Sequence, residues 1–501
     1  MSEGQSRETA WTDGMEHFDL IIIGAGSGNS VIGPEHDHLK IAIVERNLFG
    51  GTCLNVGCIP TKMYVHTANI AYESEHAAPF GLDITLDSVR WTDIRDRIFG
   101  RIDPIPPAGE RYRRQLENWS VFDGTARFVG PKTIEVSHDA TTSTITADQI
   151  IIATGASASI PDVPGLAHVR YETSDTIMRI ASVPKRLVIL GGGFIACEMA
   201  HIFGSLGAEV TILTRGPRLL ARTDRSIAQA VTEQLSERFN VILECDTGRI
   251  DQAESGEIIV DARGRAVVGD MLLVATGRHP STADLNLAAA GIVVDDDGYV
   301  VTDATMATNV AGVWALGDVT TNLQLKHVAN AEARVVAHNI VNPDNLKTMD
   351  YSAVPYAVFT SPQVGTVGAT EQELIRAGVP YRVVTQRYGD VAYGWAAEDT
   401  TSFAKLLADQ TGERLLGAHI VGNHASILVQ LLVQGMRLGS TILQMARGQL
   451  WIHPALSEVV ENALLGLLEQ GADDVIHPAT NTDSETVGHH IPDTSAVREQ
   501  P

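Results

Sequence analysis

The sequence predicts an α/β fold that contains two Rossmann-like nucleotide-binding units and a separate C-terminal α+β domain. Two apolar, β-branched runs, at 18–23 and 186–190, pass directly into glycine-rich turns, which is typical of the first strand of such a unit. After about residue 351, several short strand patterns are followed by two helical patterns, at 426–438 and 458–468. A chain of 501 residues has room for roughly two to four domains.

Composition and charge restrict the class of protein and its partners. The chain is 44% apolar and 20% charged, as in globular proteins with a sizeable core, and its formal net charge of −24 argues against nucleic acid and anionic membranes. Segment 1–16 is polar, so we predict a disordered leader and no signal peptide, and no apolar run reaches membrane-spanning length. Four cysteines in so long a chain indicate a reducing compartment, and we expect a cytoplasmic protein.

The first unit consists of the strand at 18–23, a glycine turn, and a strand at 40–44 that ends in an acid, Glu45. The glycines would let the backbone approach a pyrophosphate, and Glu45 could accept a hydrogen bond from a ribose hydroxyl. Asn29 takes the place of the third glycine and a Gly-Pro pair at 33–34 interrupts the expected helix, so we expect that helix to be truncated. The predicted phosphate-binding glycines are Gly24, Gly26 and Gly28.

The segment 50–62, GGTCLNVGCIPTK, carries two cysteines five residues apart in a frame of glycines. Pro60 suits the first turn of a helix, which would place Cys58 at the positive end of the helix dipole. Lys62 would follow one turn later on the same face, so a thiolate at Cys58 would be favoured. This arrangement is typical of thiol–disulfide exchange between Cys53 and Cys58, with a structural disulfide and two buried free thiols as the alternatives.

The same segment resembles the active-site motif of the flavin-dependent pyridine nucleotide–disulfide oxidoreductases, a family that includes glutathione reductase and lipoamide dehydrogenase. Three further motifs resemble the family's signatures in the same order. They are two strand–Ala-Thr-Gly patterns, at 149–155 and 271–277, and an apolar strand that ends in Gly-Asp at 313–318. The resemblance covers about 18–468 and implies that the second Rossmann-like unit is inserted in the first.

This resemblance also implies a domain order. The FAD-binding domain would consist of 17–155 and 278–350, the NADPH-binding domain of 156–277, and an α+β dimerisation domain of 351–469. The stretch 470–501 is small, polar and acidic without hydrophobic periodicity, and we predict that it is a disordered tail.

The matched motifs imply several flavin-binding residues. Asp318 would hold the ribityl chain, and the helix after it would point its N-terminus at the flavin ring. Lys62 and Glu198 match the pair that the family places beside the flavin. The other positions predicted to bind FAD are Gly51, Thr52, Ala126, Thr154 and Gly155.

The second unit has a complete G-x-G-x-x-A turn at 191–196 and a strand that runs into Thr214 and Arg215. A unit that prefers NADH would carry an acid there, whereas arginine suits the 2′-phosphate of NADPH through charge-assisted hydrogen bonds. We therefore predict NADPH, with a solvated basic surface turn as the alternative. By the resemblance, Phe194 is the aromatic gate over the flavin. The predicted cofactor-binding positions of this unit are Gly191, Gly193, Ile195, Arg215, Arg218 and Gly277.

The C-terminal domain would supply the acid–base group. In the family this domain forms the dimer interface, and the resemblance implies that His453 reaches the partner subunit's site while Glu458 orients its ring. From the residues alone, a His-Pro pair in a chain of 17 histidines could simply mark a helix start. We therefore expect a homodimer whose active site is shared between the subunits.

These assignments imply a reaction. NADPH would pass a hydride to the flavin, which would open a disulfide between Cys53 and Cys58. Cys58 would be the thiolate in contact with the flavin, Cys53 would attack the substrate disulfide, and His453 would protonate the leaving thiolate. We predict no metal site.

The substrate must be inferred from departures from the family pattern. The stretch 27–39 contains no lysine or arginine where glutathione reductase carries basic residues, so a neutral disulfide is favoured over an anionic one. The segments 24–30, 390–396 and 446–456 resemble the branch of the family that reduces mycothione, the disulfide of a cysteinyl pseudodisaccharide thiol. The leading alternative is an NAD-dependent lipoamide dehydrogenase subunit of a 2-oxoacid dehydrogenase complex, followed by glutathione reductase and a redox-sensing flavoprotein.

Overall fold

The computed structural model describes residues 15–478. In this range the chain forms two compact units, which differ from the two Rossmann-like units predicted above and are the units meant by first and second unit from here on. The first contains the residues up to Pro217 and Arg238–Asp350, and the second contains Arg218–Glu237 and the residues from Tyr351 onward. The finer division into FAD-binding, NADPH-binding and interface domains stays a prediction. No helix in the described range is long and apolar enough to cross a membrane.

The strands, in chain order, are β1 Glu16–Ile23, β2 Ile41–Glu45, β3 Trp119–Asp123, β4 Thr125–Gly130, β5 Thr133–His138, β6 Thr141–Ile152, β7 Ala156–Ala158, β8 Arg186–Leu190, β9 Glu209–Leu213, β10 Asn240–Ile242, β11 Thr247–Gln252, β12 Ile258–Ala262, β13 Arg265–Gly269, β14 Met271–Val274, β15 Arg278–Pro280, β16 Val313–Ala315, β17 Pro355–Val358, β18 Val364–Gly368, β19 Tyr381–Arg387, β20 Phe403–Asp409 and β21 Leu415–Val421. The α-helices are α1 Gly51–Asn55, α2 Cys58–Glu75, α3 Trp91–Ile102, α4 Ile105–Gln115, α5 Phe194–Ser205, α6 Arg225–Arg238, α7 Lys326–Val341, α8 Glu371–Ala377, α9 Ala392–Ala396, α10 Ala425–Arg437, α11 Ile442–Arg447 and α12 Ser457–Glu469.

The largest sheet lies in the first unit, with strands in the order β3-β2-β1-β6-β5-β4 and β16 beside β6. Strands β1, β2, β3, β6 and β16 pair in parallel, and β4 and β5 extend the sheet in antiparallel fashion. Both faces of the parallel part are covered, because the neighbours Ile21 and Ile22 of β1 belong to two separate hydrophobic clusters. The apolar run at 18–23 is thus confirmed as a buried central strand.

A second parallel sheet of the first unit, in the order β10-β9-β8-β14, contains the other apolar run as β8. Its first turn repeats the geometry of the turn after β1. A side chain at Gly24 would collide with the carbonyl oxygen of Ala153, and one at Gly191 would collide with that of Ala275. These glycines have φ values of 105° and 122°, in the region that favours glycine. Both predicted Rossmann-like units are therefore present, and the first glycine of each turn is placed alike.

The connection between β1 and β2 differs from the prediction, because the described residues 24–40 contain no α-helix. Two three-residue 3₁₀ turns, Gly28–Ser30 and Pro34–His36, take its place. Gly33 is fully extended, and Pro34 has no N–H for helical hydrogen bonding, so a helix cannot continue past this point. The first Rossmann helix is therefore absent and not merely truncated.

The second unit is built on an antiparallel sheet in the order β17-β18-β21-β20-β19, and residues of α10 and α12 share its main hydrophobic cluster. The helix α6, which the sequence placed in a nucleotide-binding domain, belongs to this unit. Asp224, just before α6, accepts a 2.8 Å hydrogen bond from Lys405 Nζ, and Glu371 accepts another at 2.6 Å. Asp224 and Lys405 are almost completely buried, so this network fixes α6 to the sheet.

Part of the predicted tail 470–501 is ordered. Ile476 exchanges backbone hydrogen bonds of 2.8 and 3.1 Å with Tyr381 at the start of β19. The two residues are far apart in sequence, so local composition could not indicate this pairing. The tail from residue 479 onward, and the predicted leader 1–16 up to residue 14, lie outside the described residues.

Candidate active site

The cysteine segment forms two short consecutive helices, α1 and α2, which begin at Gly51 and Cys58. Gly50 and Gly51 have φ values of 92° and 62°, which glycine adopts without strain. Cys58 is exposed at the first position of α2, and the Thr61 hydroxyl donates a 2.6 Å hydrogen bond to the carbonyl of Gly57. The predicted helix start beside Cys58 is confirmed.

Cys53 and Cys58 are free thiols joined by a hydrogen bond. The hydrogen bond from Cys53 lowers the pKa of Cys58 to about 7, and the charge of Lys62 lowers this pKa as well, against an opposing effect of burial. The pKa of Cys53 is raised by the same hydrogen bond and by burial. A thiolate is therefore favoured at Cys58, and because Cys58 is exposed the two cysteines are not a pair of buried thiols. Thiol–disulfide exchange at this pair stays a prediction.

We expect the Cys58 thiolate of the reduced protein to form as the pH rises through about 7. Cys53→Ala removes the hydrogen-bond donor, so the pKa of Cys58 should rise toward the ordinary value of 9.0. Cys53→Ser keeps a donor and should leave this pKa lowered. The measurement is the rate of alkylation by iodoacetamide against pH, and identical titrations of Cys58 in the two variants would contradict the assigned role of Cys53.

A second pair, Lys62 and Glu198, joins α2 to α5. Lys62 Nζ lies 2.6 Å from each carboxylate oxygen of Glu198, and Glu198 is only 4% exposed. Phe194 is the first residue of α5, one turn before Glu198, and about half of its side chain is exposed. The structure therefore brings the helix that begins at Cys58 together with the helix that begins at the predicted aromatic gate.

The turn after β1 has features that fit a bound dinucleotide. Gly26 lies against Gly51, since a side chain at Gly51 would come within 2.8 Å of the Gly26 Cα. The hydroxyl of Thr154 is buried and has no hydrogen-bond partner among residues 15–478. Because a buried hydroxyl without a partner is costly, a ligand that supplies one fits this place. The predicted residues Gly26, Gly51 and Thr154 thus fit FAD.

The two predicted carboxylates of the FAD site are held differently. Glu45 accepts hydrogen bonds from the backbone N–H groups of Ala25, at 2.7 Å, and Asn47, at 2.9 Å. Asp318 follows β16, and burial raises its pKa while nearby cations, including Lys326, lower it. Each carboxylate can accept further hydrogen bonds, because an ionised carboxyl group has about four acceptor sites.

Three predicted FAD positions have other surroundings. Thr52 is exposed in α1, and Gly155 has a φ of 69° with open space beside it. Ala126 is 4% exposed in a hydrophobic cluster, so its side chain serves the core. The sequence prediction missed Lys326, which donates a 2.8 Å hydrogen bond to Ser27 in the glycine turn. The sequence feature that could have indicated Lys326 is a cation at the start of the helix predicted to face the flavin.

The predicted NADPH positions follow β8, β9 and β14. A side chain at Gly193 or Gly277 would meet nothing within 4 Å, so open space lies beside both. Ile195 lies in the first turn of α5, and Arg215 is exposed just after β9. Arg218 belongs to the second compact unit. Open space beside a glycine turn and an exposed guanidinium nearby in the chain suit a phosphate-bearing nucleotide.

His453 and Glu458 form a hydrogen-bonded pair in the second unit. His453 Nδ1 lies 2.7 Å from Glu458 Oε1, and the backbone N–H of Ala455 donates to the other oxygen at 3.1 Å. The hydrogen bond from His453 lowers the pKa of Glu458. His453 is highly exposed, and the carboxylate fixes a proton on Nδ1, which leaves Nε2 free to exchange protons with a substrate.

Comparison with protein-family models gives two matches. The model described as pyridine nucleotide-disulphide oxidoreductase matches residues 18–333. The model described as the dimerisation domain of that family matches residues 354–464. The cysteine segment, Lys62, Glu198 and both glycine turns lie in the first match, and the His453–Glu458 pair lies in the second.

Several known proteins are similar over most of the chain. The mycothione reductase of Mycobacterium tuberculosis is 46% identical over 460 residues, which are 90% of this chain and 100% of that protein. The dihydrolipoyl dehydrogenase of Chlamydia pneumoniae is 31% identical over 90% of this chain and 97% of its own. Among solved structures, the HOCl-induced flavoprotein disulfide reductase RclA from Escherichia coli, as a Cu(II) complex, has a TM-score of 0.81 at 28% identity, covering 91% of this chain and 100% of that one.

Proposed function

Because this chain belongs to the pyridine nucleotide-disulphide oxidoreductase family, whose enzymes use FAD and a pyridine nucleotide, we propose that it is an NADPH-dependent mycothione reductase. The observation that carries the proposal is the Cys53–Cys58 pair, with its hydrogen-bonded thiol and lowered pKa, in a chain that matches the whole length of a mycothione reductase. The 31% identity to dihydrolipoyl dehydrogenase is lower over a similar coverage.

One feature of this chain supports a neutral disulfide as the substrate, and another supports NADPH as the nucleotide. The connection 27–39, between β1 and β2, has no lysine or arginine, so it offers no cation to a substrate carboxylate. The strand β9 is followed by Arg215 and not by an acid, which supports NADPH over NADH and argues against a lipoamide dehydrogenase. Both features concern recognition, and the thiol chemistry does not depend on them.

The chemistry proceeds in two exchanges. The thiol of Cys53 gives its proton to His453 of the partner subunit and attacks one substrate sulfur, so the substrate S–S bond breaks and a mixed disulfide forms. The released thiolate then takes that proton back from His453. The thiolate of Cys58 then attacks the Cys53 sulfur and closes the Cys53–Cys58 disulfide, and the second substrate thiolate leaves and takes a proton from solvent. FAD supplies the path by which two electrons from NADPH restore the dithiol. One disulfide is reduced to two thiols for each NADPH oxidised.

A homodimer would complete this site. The second unit matches a dimerisation domain, and the residues beside His453 include strongly exposed apolar side chains, Leu450 at 98% and Ile452 at 73%. Exposed apolar side chains this close together in the chain support a surface that a partner covers. We also place the enzyme in the cytoplasm, where a reducing environment keeps cysteines outside the site as thiols.

The test is a matrix of two nucleotides and three disulfides with the purified flavoprotein. NADPH and NADH are each combined with mycothione, glutathione disulfide and lipoamide, and nicotinamide absorbance reports turnover. We expect NADPH with mycothione to give the highest kcat/KM. Preferred turnover of NADH with lipoamide, with mycothione inert, would assign the chain to a 2-oxoacid dehydrogenase complex instead.

A substitution in the same matrix tests the nucleotide preference. Arg215→Ala should lower kcat/KM for NADPH by roughly tenfold to a hundredfold, because a charge-assisted contact with the 2′-phosphate is lost. Its value for NADH should stay unchanged. The matched control is Arg265→Ala, an exposed arginine of β13 outside the nucleotide turns. Equal losses with both nucleotides would mean that Arg215 does not read the 2′-phosphate.

A further inference from the structure

The missing first Rossmann helix leaves the glycine turn after β1 without its usual support. In a complete unit, the aligned N–H groups and dipole of that helix face the pyrophosphate. The 3₁₀ turns Gly28–Ser30 and Pro34–His36 have three residues each and cannot sum to such a dipole. The turn must therefore be fixed, and given positive charge, by other groups.

Arg113 of α4 donates hydrogen bonds to this turn at Asn29, which takes the place of the third glycine. Its Nε donates a 2.9 Å hydrogen bond to the Asn29 side-chain oxygen, and its Nη2 donates a 3.3 Å bond to the Asn29 carbonyl. The guanidinium lies 4.3 Å from the ring centre of buried Trp119, so the side chain is held on a rigid surface. Burial lowers the pKa of Arg113, which nonetheless stays charged at any physiological pH.

The charge of Arg113 is not neutralised by an ion pair in the described part of the chain. Its neighbour Arg114 bonds to Glu110 and Asp123, but the hydrogen bonds of Arg113 within residues 15–478 go to the side-chain and carbonyl oxygens of Asn29. A partly buried cation with neutral partners favours an anion nearby. The adjoining glycine turn is the part of the FAD site that meets a pyrophosphate.

A histidine fixes the second 3₁₀ turn independently. His36 is fully buried, and its Nε2 lies 2.9 Å from the carbonyl of Ala337 in α7. The backbone N–H of Gly33 donates to its Nδ1 at 3.2 Å, so the proton belongs on Nε2. His36 thus holds the far end of the connection, while beside the glycines Arg113 holds Asn29 and Lys326 holds Ser27.

We propose that Arg113 is a positioning residue for FAD, which replaces the missing helix by holding Asn29 and by adding a positive charge beside the phosphate-binding turn. This proposal rests on FAD binding at that turn and not on the identity of the disulfide substrate. The proposal also explains why position 29 is asparagine and not glycine. The Asn29 side chain accepts a hydrogen bond from Arg113, and Gly28 is the residue that packs closely against β1. A side chain at Gly28 would come within 2.9 Å of Ile22.

The experiment measures the dissociation constant of FAD for the apoprotein by flavin fluorescence. Arg113→Met should weaken FAD binding by roughly tenfold to a hundredfold, because two charged hydrogen bonds and one charge are lost. Arg113→Lys keeps the charge without the paired contact and should fall between Met and the natural arginine. The matched control, Arg111→Met, changes an exposed arginine of the same helix and should leave the constant unchanged.

A double-mutant cycle separates positioning from general stability. If Arg113 acts through Asn29, Asn29→Ala should weaken FAD binding in the natural protein and have a clearly smaller effect in Arg113→Met. The unfolding temperature of each apoprotein is measured beside it. Natural FAD affinity in Arg113→Met, or additive effects of the two substitutions on that affinity, would overturn the proposal. Because no substrate is present, these outcomes leave the mycothione assignment untouched.

Discussion

Cys53→Ser is expected to lower disulfide reduction by roughly a thousandfold or more, because serine cannot form the mixed disulfide that carries the substrate through the reaction. The thiolate at Cys58 should survive, since the serine hydroxyl can replace the donor that lowers the pKa of Cys58. The measurements are NADPH-dependent turnover and the long-wavelength absorbance that a thiolate beside a flavin produces. Turnover lost with this absorbance kept is the expected result.

The reciprocal variant, Cys58→Ser, tests the separate roles that we assign to the two cysteines. Cys58→Ser should remove both the thiolate absorbance and steady-state turnover, yet its remaining Cys53 should still form one mixed disulfide with substrate. Cys245→Ala, which changes a buried cysteine outside this pair, serves as the control for general cysteine effects. Intact turnover in Cys53→Ser would contradict the assignment, because it would mean that Cys53 is not the cysteine that attacks the substrate.

Local patterns were sufficient to predict much of the fold and of the redox site. The runs that became β1 and β8 are buried on both faces, so they are continuously apolar, and each must end in glycine where a side chain would strike a neighbouring carbonyl. The cysteine segment carries its own helix-start signal in Pro60, which fixed the place of Cys58. Such features depend on residues close together in the chain.

The features that the sequence did not predict depend on distant residues. Arg113 meets Asn29, His36 meets Ala337, and Lys405 meets Asp224, and each pair joins elements separated by long stretches of chain. The Gly-Pro pair at 33–34 indicated a defect in the first Rossmann helix, but no local rule states which side chains replace a missing helix. The sequence therefore indicated that the first Rossmann helix is defective, but the side chains that take over its role could be identified only from the three-dimensional structure.

His453→Ala is expected to lower kcat for disulfide reduction by roughly a hundredfold to ten-thousandfold, because the leaving thiolate loses its proton donor. Glu458→Gln should have a smaller effect, since the amide can still accept from Nδ1 but no longer stabilises a charged imidazole. Formation of the thiolate at Cys58 by NADPH should stay normal in both variants. His477→Ala, a second exposed histidine of the same unit, is the control.

The same substitution tests whether the site is shared between subunits. A Cys53→Ser chain and a His453→Ala chain are each inactive alone, but a mixed dimer with shared sites contains one site with both natural residues. Random mixing should then restore about a quarter of the natural activity, because half of the dimers are mixed and each has one intact site. Sites confined to single chains would stay defective in every dimer, so the absence of any recovery in verified mixed dimers would place Cys53 and His453 in the same subunit's site.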